Sequence, residues 1–400
     1  MNGPIERGGP YLDYNATAPI RPEAAAAVVE AMRSVGNASS THQPGRRAAH
    51  CIDIARQQLA DLLNCSPGEI IFTSGATEAN NLSLRAAHIP GNPLLTSPTE
   101  HPAVLETARM VTAAQPSDLV LLPVRQDGLV DLNALDQVYE TRRGGMVSLM
   151  AANNETGVLT DLQVVVNAAR RAAALVHTDA TQIVGRLPLD VAELDIDLLS
   201  LSAHKFGGPQ GVGALYVRRG SALPHRPLLV GGGQERGWRA GTLNVAGIVG
   251  LGAAAEALRG GLVAEAERVA SLRDRLEDLL VRSLPDSRIN GRRDKRLPGV
   301  TSITFPGVPA DAVLAAMPDV AASEGSACAA GAPTPSHVLL AMGLSREDAD
   351  STIRFSLGYA TTNDEIEHAV RAVVRAVMQV RSAMTEAENP HWVTASITPR

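Results

Sequence analysis

The chain has 400 residues, enough for two domains around a sizeable core, and with 45% apolar but only 3% aromatic residues that core is built from Ala, Val and Leu. Its net charge of −6 leaves no basic footprint for nucleic acid. No run approaches membrane-span length and MNGPIERGGP lacks the apolar core of a signal peptide, so a cytoplasmic protein with no membrane or nucleic-acid partner is expected.

After a polar lead, YLDYNATAP (11–19) reads as a short extended segment ending in a turn. Pro22 sits where a helix starts, and a second helix ends near Asn64. Strands and helices then alternate. EIIFT (69–73) precedes a helix from about Thr77, and LLTS (94–97) one from about Pro102. LVLLPV (119–124) is followed by a helix with Asp131 as N-cap, and MVSLMAA (146–152) by one over 161–174. Strands over 175–180, 197–201 and 214–217 complete the series. This alternation predicts an α/β fold with a mainly parallel sheet covered by helices on both faces. The rhythm changes after GGGQERGWRAGT (231–242). Long helices over 262–283 and 363–384 mix with the shorter strands VTSITFP and TIRFSLG, which predicts a smaller α+β domain from near Gly260 and a loosely ordered tail from about Glu386.

The chemistry-bearing residues fall where these strands end, the edge at which parallel sheets place their sites. Leu198–Leu201 runs into Ala203-His204-Lys205 and a glycine-rich turn. Lys205 there reads either as a surface lysine or as an amine whose pKa burial lowers, ready to form a Schiff base. Asp179 ends the preceding strand, beside His177, Thr178 and Gln182. A lysine for an aldehyde and a carboxylate for a pyridinium nitrogen suit pyridoxal phosphate. FTSGATEANN (72–81) offers a helix N-terminus as a phosphate cradle, or an ordinary turn capped by Ser74 or Thr77. His101 follows another strand as ring partner or helix cap. Asn154, in NNETG, is a donor or a plain turn residue. Arg354 lies within an apolar strand and needs an anion, either a bound carboxylate or an internal salt bridge.

The three cysteines form no CxxC pair, which argues against a disulfide framework or a zinc site. Cys51 and Cys65 are expected as buried small hydrophobes. Cys328 lies in SEGSACAAGAPTPSHVL among small residues and prolines, a segment expected to move easily. A thiol there suits a nucleophile that collects a group in one place and delivers it in another.

Taken together, SGATEANN, TEHPAVL, NNETG, HTDATQ, SLSAHKFGGPQGVG, QERGWRAGT, GSAC, PSHVL and IRFSLG resemble the motifs of the NifS/IscS-type cysteine desulfurases. These are class V aminotransferase, fold type I, pyridoxal-phosphate enzymes, and the likeness runs from about Tyr11 to about Arg381. GSAC before a long loop and PSHVL resembles the group with an extended cysteine loop. The resemblance implies a large cofactor-binding domain over 14–260 and a small α+β domain over 261–385, with 1–13, that carries the cysteine loop. It implies a homodimer that converts L-cysteine to L-alanine, leaves a persulfide on the enzyme, and passes the sulfur to an acceptor protein such as an iron–sulfur cluster scaffold. Lys205 would carry the cofactor and act as general base. Asp179 would pair with the pyridinium nitrogen and Gln182 with the phenolic oxygen, and His101 would stack on the ring. Ala76, Thr77, Ser202 and His204 would hold the phosphate, with Thr242 reaching across from the partner subunit. Asn154 and Arg354, with Asn15 nearby, would hold the substrate carboxylate, and Cys328 would attack the sulfur. No metal ligand is implied, except a cluster contact at Cys328. Glu324 stands where the family has a serine, and its charge is expected to raise the Cys328 pKa. A selenocysteine lyase or aminotransferase of the same fold remains an alternative, as does an inactive sulfur carrier or scaffold.

Overall fold

The computed structural model describes residues 8–325 and 334–388. Cys328 and the tail beyond Glu388 therefore lie outside the described residues. The main sheet has seven strands: β1 (Ile70–Thr73), β2 (Leu94–Thr96), β3 (Leu119–Leu121), β4 (Met146–Ser148), β5 (Leu175–Asp179), β6 (Leu198–Ser202) and β7 (Gly213–Val217). Their order is β1-β7-β6-β5-β4-β2-β3. The pairings from β6 through to β3 are parallel, as the alternation predicts, whereas β7 runs antiparallel to both β6 and β1. The short Phe206–Val212 connection permits that reversal, since a hairpin return needs no crossover helix.

Neighbouring residues on each strand point to opposite faces. Ile71, Met146, Leu198 and Leu215 join one buried cluster with Leu82 and Val104. Phe72, Val147, Val176, Leu199 and Leu201 join a larger one on the other face. Helices cover both sides, so the strands read as continuous apolar runs rather than as alternating ones.

The remaining strands, β8 (Arg288–Asn290), β9 (Val300–Thr304), β10 (Ser323–Glu324) and β11 (Thr352–Ser356), form an antiparallel sheet in the order β10-β11-β9-β8. Helices Leu262–Ser283 and Asn363–Glu388 contribute Leu272, Leu276, Leu280, Ile366 and Val373 to a separate apolar cluster with Ile303, Phe305 and Phe355. Leu12 belongs to that cluster, and Tyr14 N donates to Ser356 O at 3.1 Å, so the extended N-terminal segment lies along this second sheet.

Helix starts follow their capping chemistry. Asp131 accepts from Asn133 N and Asp161 from Val164 N, and Asn64 closes its helix in the left-handed conformation. Two strands are shorter than the apolar runs suggest. Pro123 has no N–H to extend β3 over 119–124. After β4 the chain leaves regular pairing, although Leu149 N and Ala151 N still donate to His177 O and Asp179 O. Cys51 is exposed, against expectation, because position 51 falls on the outer face of helix Gln43–Leu63 whereas Ile52, Ala55 and Leu59 face in. Cys65 is half-buried, and burial pushes its thiol up to about 12.

Candidate active site

Because β1, β4, β5 and β6 point the same way, their C-terminal ends share one edge of the sheet. A cavity of about 350 Å³ opens there. Every residue singled out for the site lines it except Thr242, which is exposed, and Cys328.

The β1 end delivers a helix N-terminus. Neither Ser74 nor Thr77 caps helix Ala76–Ala87; Gly75 occupies that position, with a φ of 156° and no capping side chain. Ser74 N is instead taken by Glu78 Oε2 at 2.8 Å. The amides at Ala76 and Thr77, which have no acceptor within a helix, thus start at the cavity wall, where an anion is favoured. The backbone comes close here. Gly213 pairs with both Thr73 and Ser202, and a Cβ on it would lie 2.7 Å from Gly75 Cα.

At the end of β5 Asp179 is 6% exposed and held at both oxygens. Asn80 Nδ2 donates to Oδ2 at 2.7 Å and Thr181 N to Oδ1 at 2.9 Å. Sequence reasoning missed Asn80, which is wholly buried on a helix face with Ala79, Leu82 and Ser83; nothing in the local pattern ties it to Asp179. Nearby, His177 bridges Ser148 Oγ at 2.7 Å and Ser200 Oγ at 3.0 Å, and burial lowers its pKa to about 4.

Beyond β6, Lys205 Nζ donates to the carbonyls of Asn15 at 2.6 Å and Ala16 at 2.8 Å. The YLDYNATAP turn therefore holds the amine at the cavity. His204 Nδ1 lies 3.1 Å from Thr17 Oγ1, and its pKa is lowered to about 4 by burial and then by Lys205. A neutral His204 offers one ring N–H rather than a second charge. His101 both caps and lines: Nδ1 accepts from Ala103 N at 3.1 Å at the start of helix Pro102–Val111, while the ring borders the cavity. Burial lowers its pKa, opposed by Asp179.

One wall of the cavity is built by Asn15, Asn154 and Arg354. Arg354, in β11 and 1% exposed, reaches Asp13 Oδ1 at 2.7 Å and the Asn154 carbonyl at 3.0 Å. An internal salt bridge is thus present, and it leaves Arg354 Nε buried without a partner. Asn154 Oδ1 and Gln182 Oε1 are likewise buried and unpartnered. Such groups are costly unless something bound in the cavity satisfies them. Glu155, next to Asn154, is fully enclosed, and its carboxyl is pushed up to about 7 by burial.

Glu324 pairs with Ile353 in the second sheet, and its carboxyl is raised by burial and by Asp311 and Asp350. Its effect on Cys328 lies outside the described residues. The QERGWRAGT loop carries Glu235, which sequence reasoning passed over. It is 6% exposed and takes Phe72 N at 2.9 Å and Arg56 Nη2 at 2.6 Å, tying the loop to β1.

The parts fit pyridoxal phosphate: an amine, an anionic ring partner, an N-terminal phosphate cradle and orphaned polar atoms surround one cavity. Among the described residues no group of three or more His, Cys, Asp or Glu is placed to hold a metal ion. None of their helices is long and apolar enough to cross a membrane.

Comparison with known proteins agrees with this geometry. Residues 10–369 match the family described as Aminotransferase class-V. The chain is 44% identical over 381 residues to cysteine desulfurase IscS of Anaeromyxobacter sp. strain Fw109-5, covering 93% of both chains. It is 41% identical over 379 residues to IscS of Shewanella woodyi, again with 93% of each covered. Among solved structures it resembles a NifS-like protein from Rickettsia africae, with a TM-score of 0.83, 31% identity, and coverage of 92% of this chain and 99% of that one. It also resembles SspA in complex with cysteine, with a TM-score of 0.76, 34% identity, and 88% and 99% covered.

Proposed function

The chain belongs to the Aminotransferase class-V family and is a pyridoxal-phosphate-dependent cysteine desulfurase, and from that premise we propose which residues carry the reaction and how. Lys205 would hold the cofactor through its aldehyde and would move the substrate α-proton. Asp179 would face the ring nitrogen. Gln182 would meet the phenolic oxygen, and His101 would lie against the ring. The Ala76 and Thr77 amides, Ser202 and His204 take the phosphate, and Thr242 completes the phosphate site of a second subunit in a homodimer. Asn154 and Arg354, flanked by Asn15, hold the substrate carboxylate. When bound, the cofactor supplies an electron-poor ring that withdraws electrons from the substrate α-carbon.

Cys328 then attacks the substrate sulfur as a thiolate. The carbon–sulfur bond breaks with its electron pair left on carbon, which takes up a proton to become alanine, and a sulfur–sulfur bond forms on Cys328. The persulfide passes to an acceptor protein such as an iron–sulfur cluster scaffold. Residues 14–260 form the cofactor domain, and 261–385 with 1–13 the domain from which Cys328 works. The setting is the cytoplasm.

The observation that carries this reading is the convergence of Lys205, Asp179 and the Ala76–Ala87 N-terminus on one cavity that leaves Gln182 Oε1 and Asn154 Oδ1 unsatisfied. Borohydride reduction followed by peptide mapping tests it. The cofactor is expected on Lys205, and trapping on another lysine, or on none, rejects the assignment. In parallel, Cys328→Ser is expected to keep the cofactor and its spectral response to L-cysteine while losing alanine and persulfide production.

A further inference from the structure

Both flanks of the segment that carries Cys328 meet one buried carboxyl group. Glu155, in the turn after β4, is 3% exposed. On the C-terminal flank, Ser336 Oγ donates to Glu155 Oε2, in a contact itself buried. On the N-terminal flank, Gly325 packs so closely that a Cβ on it would lie 2.5 Å from the same oxygen and 3.3 Å from Ser336 Cβ. The next residue, His337, places Nε2 2.9 Å from the Glu100 carbonyl, beside His101. Glu155 also follows Asn154, whose carbonyl takes Arg354, and the Arg354 charge acts on the Glu155 carboxyl.

A helix start does not require this arrangement. Ser336 already caps helix His337–Ala341 by accepting from Leu339 N at 3.1 Å, and an exposed cap would serve equally well. Burying a carboxyl under a five-residue helix is costly unless its contacts matter. Its neighbours on one side, Asn154 and Arg354, line the cavity, and on the other side Gly325 and Ser336 flank the segment that carries Cys328.

We propose that Glu155 is a positioning residue for sulfur transfer: by seating Gly325 and Ser336 together it fixes both anchor points of the Cys328 segment relative to Arg354. This rests on Cys328 being the sulfur acceptor. Glu155 touches no reacting atom; it acts through the anchors.

The test separates the cofactor step from the transfer step in the complete holoenzyme. The first is followed as the absorbance change on adding L-cysteine, the second as labelled sulfur appearing on Cys328 by peptide mass spectrometry. Ser336→Asp keeps an N-cap acceptor but replaces the donor with a second acceptor facing Glu155. It is expected to leave the absorbance change within about twofold of the parent and to slow Cys328 labelling roughly tenfold, the scale of one buried hydrogen bond. The double variant Glu155→Gln/Ser336→Asp exchanges donor and acceptor across the same contact, and its labelling rate is expected to recover most of the loss. A general packing defect would not be repaired by that exchange. Labelling of Ser336→Asp at the parent rate, equal slowing of both steps, or a double variant no faster than the single one would overturn the proposal. Should Ser336→Asp not fold, Ser336→Thr and Ser336→Ala, which keep and lose the donor, replace it. Slower labelling only in the alanine variant is expected, and equal rates overturn the idea. Absence of label on Cys328 in the parent enzyme itself would instead reject the acceptor assignment.

Discussion

Gly213 is the position at which a single methyl group should weaken cofactor binding. It opens β7, between the ends of β1 and β6. A Cβ there would lie 2.4 Å from Leu201 O, 2.7 Å from Gly75 Cα and 2.9 Å from Gly75 C. None of these is the yielding tip of a side chain, so Gly213→Ala must displace backbone. Relieving the contact to Gly75 Cα to an ordinary separation of about 3.4 Å moves the start of helix Ala76–Ala87 by several tenths of an ångström. Overpacking of this kind costs about 1–3 kcal/mol. The displaced amides are the ones proposed to hold the phosphate; a misplacement of about 1 Å costs about a hundredfold in a positioned site, so several tenths of an ångström should cost about tenfold. We therefore expect pyridoxal phosphate affinity for the apoprotein, measured by equilibrium titration, to fall at least tenfold, with a matching loss in urea stability. Gly220→Ala is the control. Its φ of +80° strains any side chain, but nothing lies within 4 Å of the added atom. It should cost about 1–2 kcal/mol through backbone strain and leave cofactor affinity unchanged. If Gly213→Ala binds the cofactor within twofold of the parent, the close approach of β7 to Gly75 does not govern the phosphate site.

Glu235→Ala should destabilise the protein by about 3 kcal/mol, since it removes the carboxylate partner of the partly buried Arg56, leaving it only the Ile70 carbonyl, and leaves Phe72 N unpaired; a urea midpoint like that of the parent would show the hub to be dispensable. His177 is held neutral, with its folded pKa lowered by burial to about 4 from the usual 6.5, so between those values the unfolded chain binds the extra proton. Stability should therefore fall as pH drops through that window, by up to about 3 kcal/mol, and His177→Asn should flatten this part of the profile; an unchanged slope removes His177 as its cause. Mixing Thr242→Ala and Lys205→Ala proteins, each poorly active, should restore activity, because one site of every mixed dimer then carries neither lesion. No recovery in dimers verified as mixed would count against a shared phosphate site.

Much of this enzyme could be read along the chain because its determinants are local. Strand runs, Pro22 and Pro102 at helix starts, Asp131 as a cap, and lysine, aspartate and glycine at strand ends all act over a few residues, and their order carries the family likeness. What depends on distant partners had to wait for the fold. Arg354 and His101 each admitted two readings in sequence, and packing shows the structural one for each while leaving both at the cavity: the guanidinium pairs with Asp13, 341 residues away, and lines the cavity, and the histidine caps a helix with one nitrogen while its ring borders the cavity. Asn80 and Asp179 are 99 residues apart and Glu155 and Ser336 are 181 apart, so neither bond leaves a mark in local pattern or periodicity. The reversal of β7 is similar, since an apolar pentapeptide pairs equally well in either direction and only the length of its connection and the sheet edge it meets decide. Cys51 shows the limit from the other side: a helix pattern assigns a residue to a face only once it is known which face is covered, and covering is a property of the whole molecule.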